Sequence, residues 1–251
     1  MLRTINKIFV LNIRMDVDTI INKLSELELP YEIPYEIKYG VIGRNTDVPF
    51  KCWDKWELQQ SEHHMDWWCR PMTDGEVGCS MSHWNAWKQA YDEGHEWVLF
   101  LEEDFKRLKS CKDLDLNTFD DNVDGFYLGS TKMNHEGKDV PYNDTWMIPC
   151  FRYNTHAYCM SRRGIKKLLD TNFNMRLLPT DEFLGSTYAP HEREDVLKEF
   201  PPFLNMITPQ SDYIEQLSEE WNSMTEDVGK HTKQFEYYIG TEEYKNNKNG
   251  N

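Results

Sequence analysis

The alternation of apolar and polar residues cuts the start of the chain into strand, helix and strand. Ile8-Phe9-Val10-Leu11 is a short apolar run that ends in the polar pair Asn12 and Arg14. Asp16 then stands at a capping position ahead of Val17, Ile20, Ile21, Leu24 and Leu27, the spacing of one helical face. Pro30 closes this helix, and residues 31–42 alternate well enough for a second strand. A β-α-β opening predicts an α/β protein with a mostly parallel central sheet. Further on, Thr73-Asp74-Gly75-Glu76 has capping-box spacing and predicts a helix to about Glu93, stopped by Gly94. His83, Trp87 and Tyr91 share one face of it. Residues 125–129 and 156–160 read as short strands, and the second leads through Ser161 into a helix over 162–170. From Pro179 the pattern becomes loop-like. Residues 211–251 are polar and charged, and the last eleven, Thr241 to Asn251, read as disordered.

One strand carries more information than its length suggests. Val98-Leu99-Phe100-Leu101 suits a strand covered on both faces, and it stops on Glu102-Glu103-Asp104. Three acids at the carboxyl end of such a strand lie where open α/β sheets bind ligands. Carboxylates held close together repel, and a divalent cation relieves that repulsion. Acids also favour a helix N-terminus, so a helix start is the competing reading of the motif alone. In an extended segment the side chains at i and i+2 point the same way, which pairs Glu102 with Asp104 and turns Glu103 elsewhere. A second acidic pair, Asp181-Glu182, follows Pro179-Thr180. It reads either as solvated loop or as a base for an acceptor hydroxyl. His83 next to Trp87 reads first as a packed helical residue. Of the late histidines His191 and His231, the second is preferred as a cation ligand.

Composition narrows the partners. The net charge of −15 over 251 residues would repel nucleic acid and anionic membranes, and no run approaches the roughly 18 apolar residues of a membrane span. Six scattered cysteines without a CxxC pair predict buried thiols rather than a disulfide framework. Nine tryptophans leave some for a binding face, and Trp53, Trp56, Trp67 and Trp68 form a candidate sugar platform. No signal layout or retrieval tetrapeptide is evident, which predicts a soluble, cytoplasmic chain. P-loop, G-x-G-x-x-G, H-E-x-x-H and G-x-S-x-G motifs are all absent from the sequence.

Several segments, in order, resemble glycosyltransferase family 25. They are the opening Ile8-Phe9-Val10-Leu11-Asn12-Ile13-Arg14, then Gly75-Glu76-Val77-Gly78-Cys79-Ser80-Met81-Ser82-His83 with Trp87, then Leu101-Glu102-Glu103-Asp104. Phe126-Tyr127-Leu128-Gly129, the stretch Thr155 to Leu169, Leu178-Pro179-Thr180-Asp181-Glu182-Phe183-Leu184 and the region from Pro201 to Ser211 resemble the family's collagen-modifying branch. The middle acid of the first acidic motif is Glu here where the family pattern has Asp. The resemblance implies a GT-A-type, Rossmann-like domain over residues 1–212, followed by a charged segment 213–251. It also implies a UDP-hexose donor (UDP-galactose or UDP-glucose) and Mn²⁺ or Mg²⁺. On that basis Glu102 and Asp104, with His231, become expected metal ligands. Asn12, Arg14, Ser82, His83 and Glu102 become expected donor-site residues, and Asp181 and Glu182 expected catalytic acids. The implied acceptor is hydroxylysine or galactosyl-hydroxylysine of a collagen-like polypeptide. A lipooligosaccharide acceptor and a non-catalytic sugar- or nucleotide-binding module are the alternatives. The charged C-terminal segment is a candidate for supporting a homodimer.

Overall fold

The computed structural model describes residues 3–43, 72–132 and 137–217. Strand β1 (Lys7–Asn12), helix α1 (Val17–Glu26) and strand β2 (Tyr35–Tyr39) form the expected opening unit. Asp16 caps α1 through its carboxylate, which accepts from the Thr19 N–H at 3.0 Å. Only part of the expected apolar face is covered: Ile20, Leu24 and Leu27 are buried, whereas Val17 and Ile21 are exposed. Helix α2 (Asp74–Asp92) begins in the capping box that Thr73 and Glu76 spell, with both reciprocal bonds made.

Strand β3 (Trp97–Glu102) is the apolar run, buried up to its terminal acid. Strand β4 (Phe105–Arg107) follows directly, then β5 (Gly125–Thr131), the short β6 (Val140–Pro141) and β7 (Trp146–Ile148), and the long β8 (Tyr153–Ser161). Ser161 caps helix α3 (Arg162–Asp170) by accepting from the Gly164 N–H. Two short helices, α4 (Thr180–Ser186) and α5 (Glu194–Glu199), precede β9 (Met206–Pro209) and β10 (Ile214–Gln216). Helix α4 replaces the loop expected after Pro179. Its first turn carries Asp181 and Glu182, and acids at that end are favoured by the helix dipole.

The class is the expected α/β. Among the described residues an eight-stranded sheet runs in the order β2-β1-β3-β8-β5-β9-β7-β6. β2, β1 and β3 are mutually parallel, as is the β5–β9 pair. β8 runs antiparallel between β3 and β5, which makes the sheet mixed. Past the expected boundary at 212, β10 pairs antiparallel with β4 in a second, two-stranded sheet. Helices α2 and α4, with the short helical turn Phe173–Met175, lay an aromatic layer against the large sheet. Trp87, Phe173 and Phe183 interlock there, with Phe173 and Phe183 stacked 3.9 Å apart.

Two glycines permit close approaches that shape the site. A Cβ on Gly78 would lie 2.4 Å from the Val41 carbonyl oxygen, so α2 packs directly on the backbone after β2. A Cβ on Gly129 would lie 2.0 Å from the Ile214 carbonyl oxygen and 2.5 Å from His156 Nε2, so β10 rests on bare backbone of β5. Among the described residues no helix is long and apolar enough to cross a membrane. Cys79, Cys111, Cys150 and Cys159 are all free thiols.

Candidate functional site

The three acids at the end of β3 splay into three different parts of the fold. Glu102 Oε1 accepts from Thr155 Oγ1 of β8 at 2.6 Å and lies 3.1 Å from His83 Nε2 of α2. Glu103 turns away. Its Oε2 accepts from the backbone N–H groups of Ile13, Arg14 and Met15 at 2.6, 2.8 and 3.1 Å, and its Oε1 is 3.8 Å from Arg14 Nε. Asp104 Oδ2 accepts from Gln216 Nε2 of β10 at 2.9 Å. Its other oxygen, Oδ1, is buried without a hydrogen-bond partner among the described residues.

These placements give the two outer acids different chemistry. Burial alone would push Glu102 upward, but the bonds from His83 and Thr155 outweigh it. They hold the carboxyl below its usual range. For Asp104, burial first and the neighbouring Glu102 charge second outweigh the bond from Gln216 and the charge of Lys23 and push it up to about 7. Lys23 of α1 lies on the far side. Its ammonium donates to the Glu103 carbonyl and sits 4.6 Å from the centre of the Phe105 ring. Burial lowers it to about 8 against the pull of Asp104 and Glu103.

An orphaned carboxylate oxygen beside a second, ionised carboxylate fits a hard divalent cation, which takes oxygen ligands and neutralises both charges. Asp104 Oδ1 and Glu102 are the residues that suit it. The third expected ligand, His231, lies outside the described residues, as do Trp53, Trp56, Trp67, Trp68 and Thr241 to Asn251.

His83 is enclosed in α2. Its Nδ1 lies 2.7 Å from Tyr158 Oη, which also accepts from Trp87 Nε1 at 2.8 Å. The indole can only donate, so the phenol hydrogen is available for Nδ1, and Nε2 then carries the imidazole hydrogen toward Glu102. With no exposed surface, His83 orients Glu102 rather than facing a donor. Ser82 differs from expectation in the same way. Its hydroxyl donates to the Gly78 carbonyl at 2.6 Å and accepts from the Val41 N–H at 2.7 Å, which pins the end of β2 to α2. Asn12 is 2% exposed and closes the turn after β1, exchanging bonds of 2.9 Å with the N–H and carbonyl of Met15. Of the expected donor-site residues Asn12 and Arg14, Arg14, in the turn after β1, is the more exposed.

The second acidic pair separates. Glu182 is fully buried and accepts from His191 Nε2 at 2.9 Å, while His191 Nδ1 accepts from the Arg193 N–H at 3.0 Å. Both acids were expected to act on an acceptor hydroxyl, and the structure leaves Glu182 the more buried of the two. Both ring nitrogens of His191 are thus within hydrogen-bond distance of protein groups. Asp181 is partly exposed. It accepts from the N–H groups of Glu182 at 2.9 Å and Asn154 at 3.3 Å. Burial, then the adjacent Glu182 charge, push it up to about 7. Asn154 reaches it by taking φ 65° within β8, a left-handed conformation that Asn tolerates.

Thr155, Tyr158, Gln216 and Cys79 complete the surroundings and were not singled out by sequence. Thr155, Tyr158 and Cys79 do lie inside the motif-like segments. Gln216 carries no signal, because its role depends on a pairing across 112 residues.

The fold and site together define an α/β protein with a cluster of acids at the carboxyl end of strand β3. The chain belongs to glycosyltransferase family 25 (LPS biosynthesis protein), which it matches over residues 5–184. It is 34% identical over 140 residues to procollagen galactosyltransferase 1 of Danio rerio, covering 53% of this chain and 23% of that protein. It is 30% identical over 141 residues to the probable inactive glycosyltransferase 25 family member 3 of Bos taurus, covering 53% and 24%. The chain thus spans about a quarter of the length of these curated relatives. Among solved structures, a glycosyltransferase involved in the glycosylation of the major capsid of PBCV-1 aligns with a TM-score of 0.39 at 12% identity. That alignment covers 83% of this chain and 82% of that one.

Proposed function

We propose that this chain is a metal-dependent, GT-A-type hexosyltransferase that moves galactose or glucose from a UDP-sugar to hydroxylysine or galactosyl-hydroxylysine of a collagen-like polypeptide. The observation that carries the reading is the Glu102–Asp104 pair, with a buried and unpartnered Asp104 oxygen, in a family 25 chain similar to procollagen galactosyltransferases. Mn²⁺ or Mg²⁺ held by Asp104 and Glu102 would stabilise charge on the departing diphosphate. Glu103 holds the turn after β1 in place, so that Arg14 is presented to the donor from a fixed backbone. Asp181 accepts the hydrogen of the acceptor hydroxyl in an inverting transfer, or orients the donor sugar in a retaining one. Its pKa near 7 suits a group that must both hold and release a proton at neutral pH.

A panel of UDP-galactose and UDP-glucose, each with a bare hydroxylysine peptide, a galactosyl-hydroxylysine peptide and a lipooligosaccharide, tests the reading. Acceptor-stimulated UDP release with either peptide is expected. Release with the lipooligosaccharide alone would move the activity to glycan synthesis, in keeping with the family's description. Binding of UDP-sugar without any release would make the chain a non-catalytic module, as the probable inactive relative suggests.

A further inference from the structure

Besides the oxygen-rich pair, a second group of ligand atoms meets at the same strand end. Cys79 and His83 stand four residues apart on α2 and so face the same way, toward Glu102. Cys79 Sγ, a ring nitrogen of His83 and a Glu102 oxygen all lie within 4.8 Å of one another. We propose that Cys79 Sγ, His83 Nε2 and Glu102 Oε1 form a binding site for a thiophilic divalent ion, Zn²⁺ by preference, distinct in chemistry from the hard cation suited to Asp104.

Three features support the assignment. The first is the donor set: a thiolate, an imidazole and one carboxylate match borderline-soft Zn²⁺ and are poor partners for Mn²⁺ or Mg²⁺. The second is spacing. Tetrahedral zinc with bonds of about 2.0–2.1 Å to N and O and about 2.3 Å to S needs an N···O separation near 3.3 Å and S···N or S···O separations near 3.6 Å. The His83–Glu102 separation is 3.1 Å, and rotation of the Cys79 side chain brings in the sulfur. The third is the outer shell, because metal-binding side chains are usually themselves held by hydrogen bonds. Here Thr180 Oγ1 donates to Cys79 Sγ at 3.5 Å, Tyr158 Oη lies 2.7 Å from His83 Nδ1, and Thr155 Oγ1 donates to Glu102. All three ligands are supported, and all three supporting residues are buried.

Binding balances as a proton exchange. The ion replaces the thiol hydrogen of Cys79, which leaves to solvent. The imidazole hydrogen moves from Nε2 to Nδ1, where Tyr158 Oη accepts it. The fourth position stays open to water or to Asp104. Because Glu102 is shared, Zn²⁺ competes with the hard cation for that carboxylate, so Zn²⁺ should weaken any Mn²⁺-dependent step rather than activate it.

Co²⁺ titration of the full chain tests this independently of transferase activity. The expected result is one Co²⁺ per chain, with a thiolate-to-cobalt charge-transfer band and intense tetrahedral visible bands, displaced by Zn²⁺. Cys79→Ala should lose the charge-transfer band and bind Zn²⁺ more than about 10-fold more weakly. No band in the wild type, or a band of full amplitude in Cys79→Ala, would overturn the site. Should Cys79→Ala fold poorly, Thr180→Val removes only the hydroxyl that donates to the sulfur. It should weaken Zn²⁺ binding about 10-fold, and unchanged affinity there also overturns the proposal. If the donor panel finds no transfer, the spectroscopic result is unaffected, so failure of the functional reading and failure of the zinc site remain separate.

Discussion

Glu103 offers the sharpest test of how the acidic strand end divides its labour. Its side chain is 12% exposed, and one oxygen accepts three consecutive backbone N–H groups of the turn after β1. A hydrogen bond to a charged group contributes about 1.5–3 kcal/mol when buried and fully made. Water can reach part of this turn and restore some of the loss, so Glu103→Ala should cost about 2–4 kcal/mol in total. That is a large share of the roughly 5–15 kcal/mol by which domains are stable. Glu103→Gln keeps an oxygen acceptor without the charge and should lose about half as much. In urea unfolding, with a slope of about 3 kcal/mol per M, the Ala variant should shift the midpoint down by about 1 M. Mn²⁺ binding measured on the folded variants should be retained, because Glu103 points away from the Asp104 oxygen. An unchanged midpoint would refute the capping role. Loss of Mn²⁺ binding with the fold intact would make Glu103 a ligand and refute the division argued here.

Asp104→Asn keeps the bond from Gln216 within reach but removes the orphaned charge; it should abolish saturable Mn²⁺ binding and lower transfer by at least about 100-fold, and full activity would sink the metal assignment. The folded chain keeps the Asp181 proton to about pH 7, whereas the unfolded chain releases it near pH 4, so stability should fall as pH rises between those values. Asp181→Asn should reduce that slope in unfolding curves taken across the window, leaving the share of Asp104, which is pushed to the same range, while also removing transfer. Gly129→Ala would press a methyl against the Ile214 carbonyl and should destabilise the chain by about 1–3 kcal/mol or more, with β10 displaced and Mn²⁺ affinity reduced through Gln216. A wild-type melting temperature in that variant would contradict the close seating of β10.

What was legible in the sequence is what local chemistry dictates. The capping box at Thr73 and Glu76, the cap at Asp16 and the apolar run ending at Glu102 each need only neighbours within a few residues. The structure has all three. Helix α4 escaped because seven residues give too little periodicity, even though Pro179 and two first-turn acids mark its start. The direction of β8 was not legible, since nothing in Thr155 to Ser161 says which neighbours it will run against. The placement of the site residues was hidden for the same reason. Asp181 and Glu182 are adjacent in sequence, yet one faces outward and the other meets His191, an outcome set by how α4 sits on the core. Ser82 and Asn12 look like ligand contacts because they are polar and motif-borne. Their hydrogen bonds are spent instead on closing the backbone around the site.

The splayed acids also bear on the order in which the molecule assembles. The bond from Ile13 to Glu103 spans 90 residues, that from Thr155 to Glu102 spans 53, and that from Gln216 to Asp104 spans 112. Contacts that close such long stretches of chain lose the most entropy on forming and so come late in folding. Pairing of β3 with β1 spans a comparable stretch, Lys7 to Val98, so the turn that Glu103 holds closes together with that pair, and the tip acquires its remaining partners only as β8 and finally β10 dock. A nascent or partly folded chain therefore holds the sheet without the site. Competence to bind a cation becomes a report that the last strand has arrived.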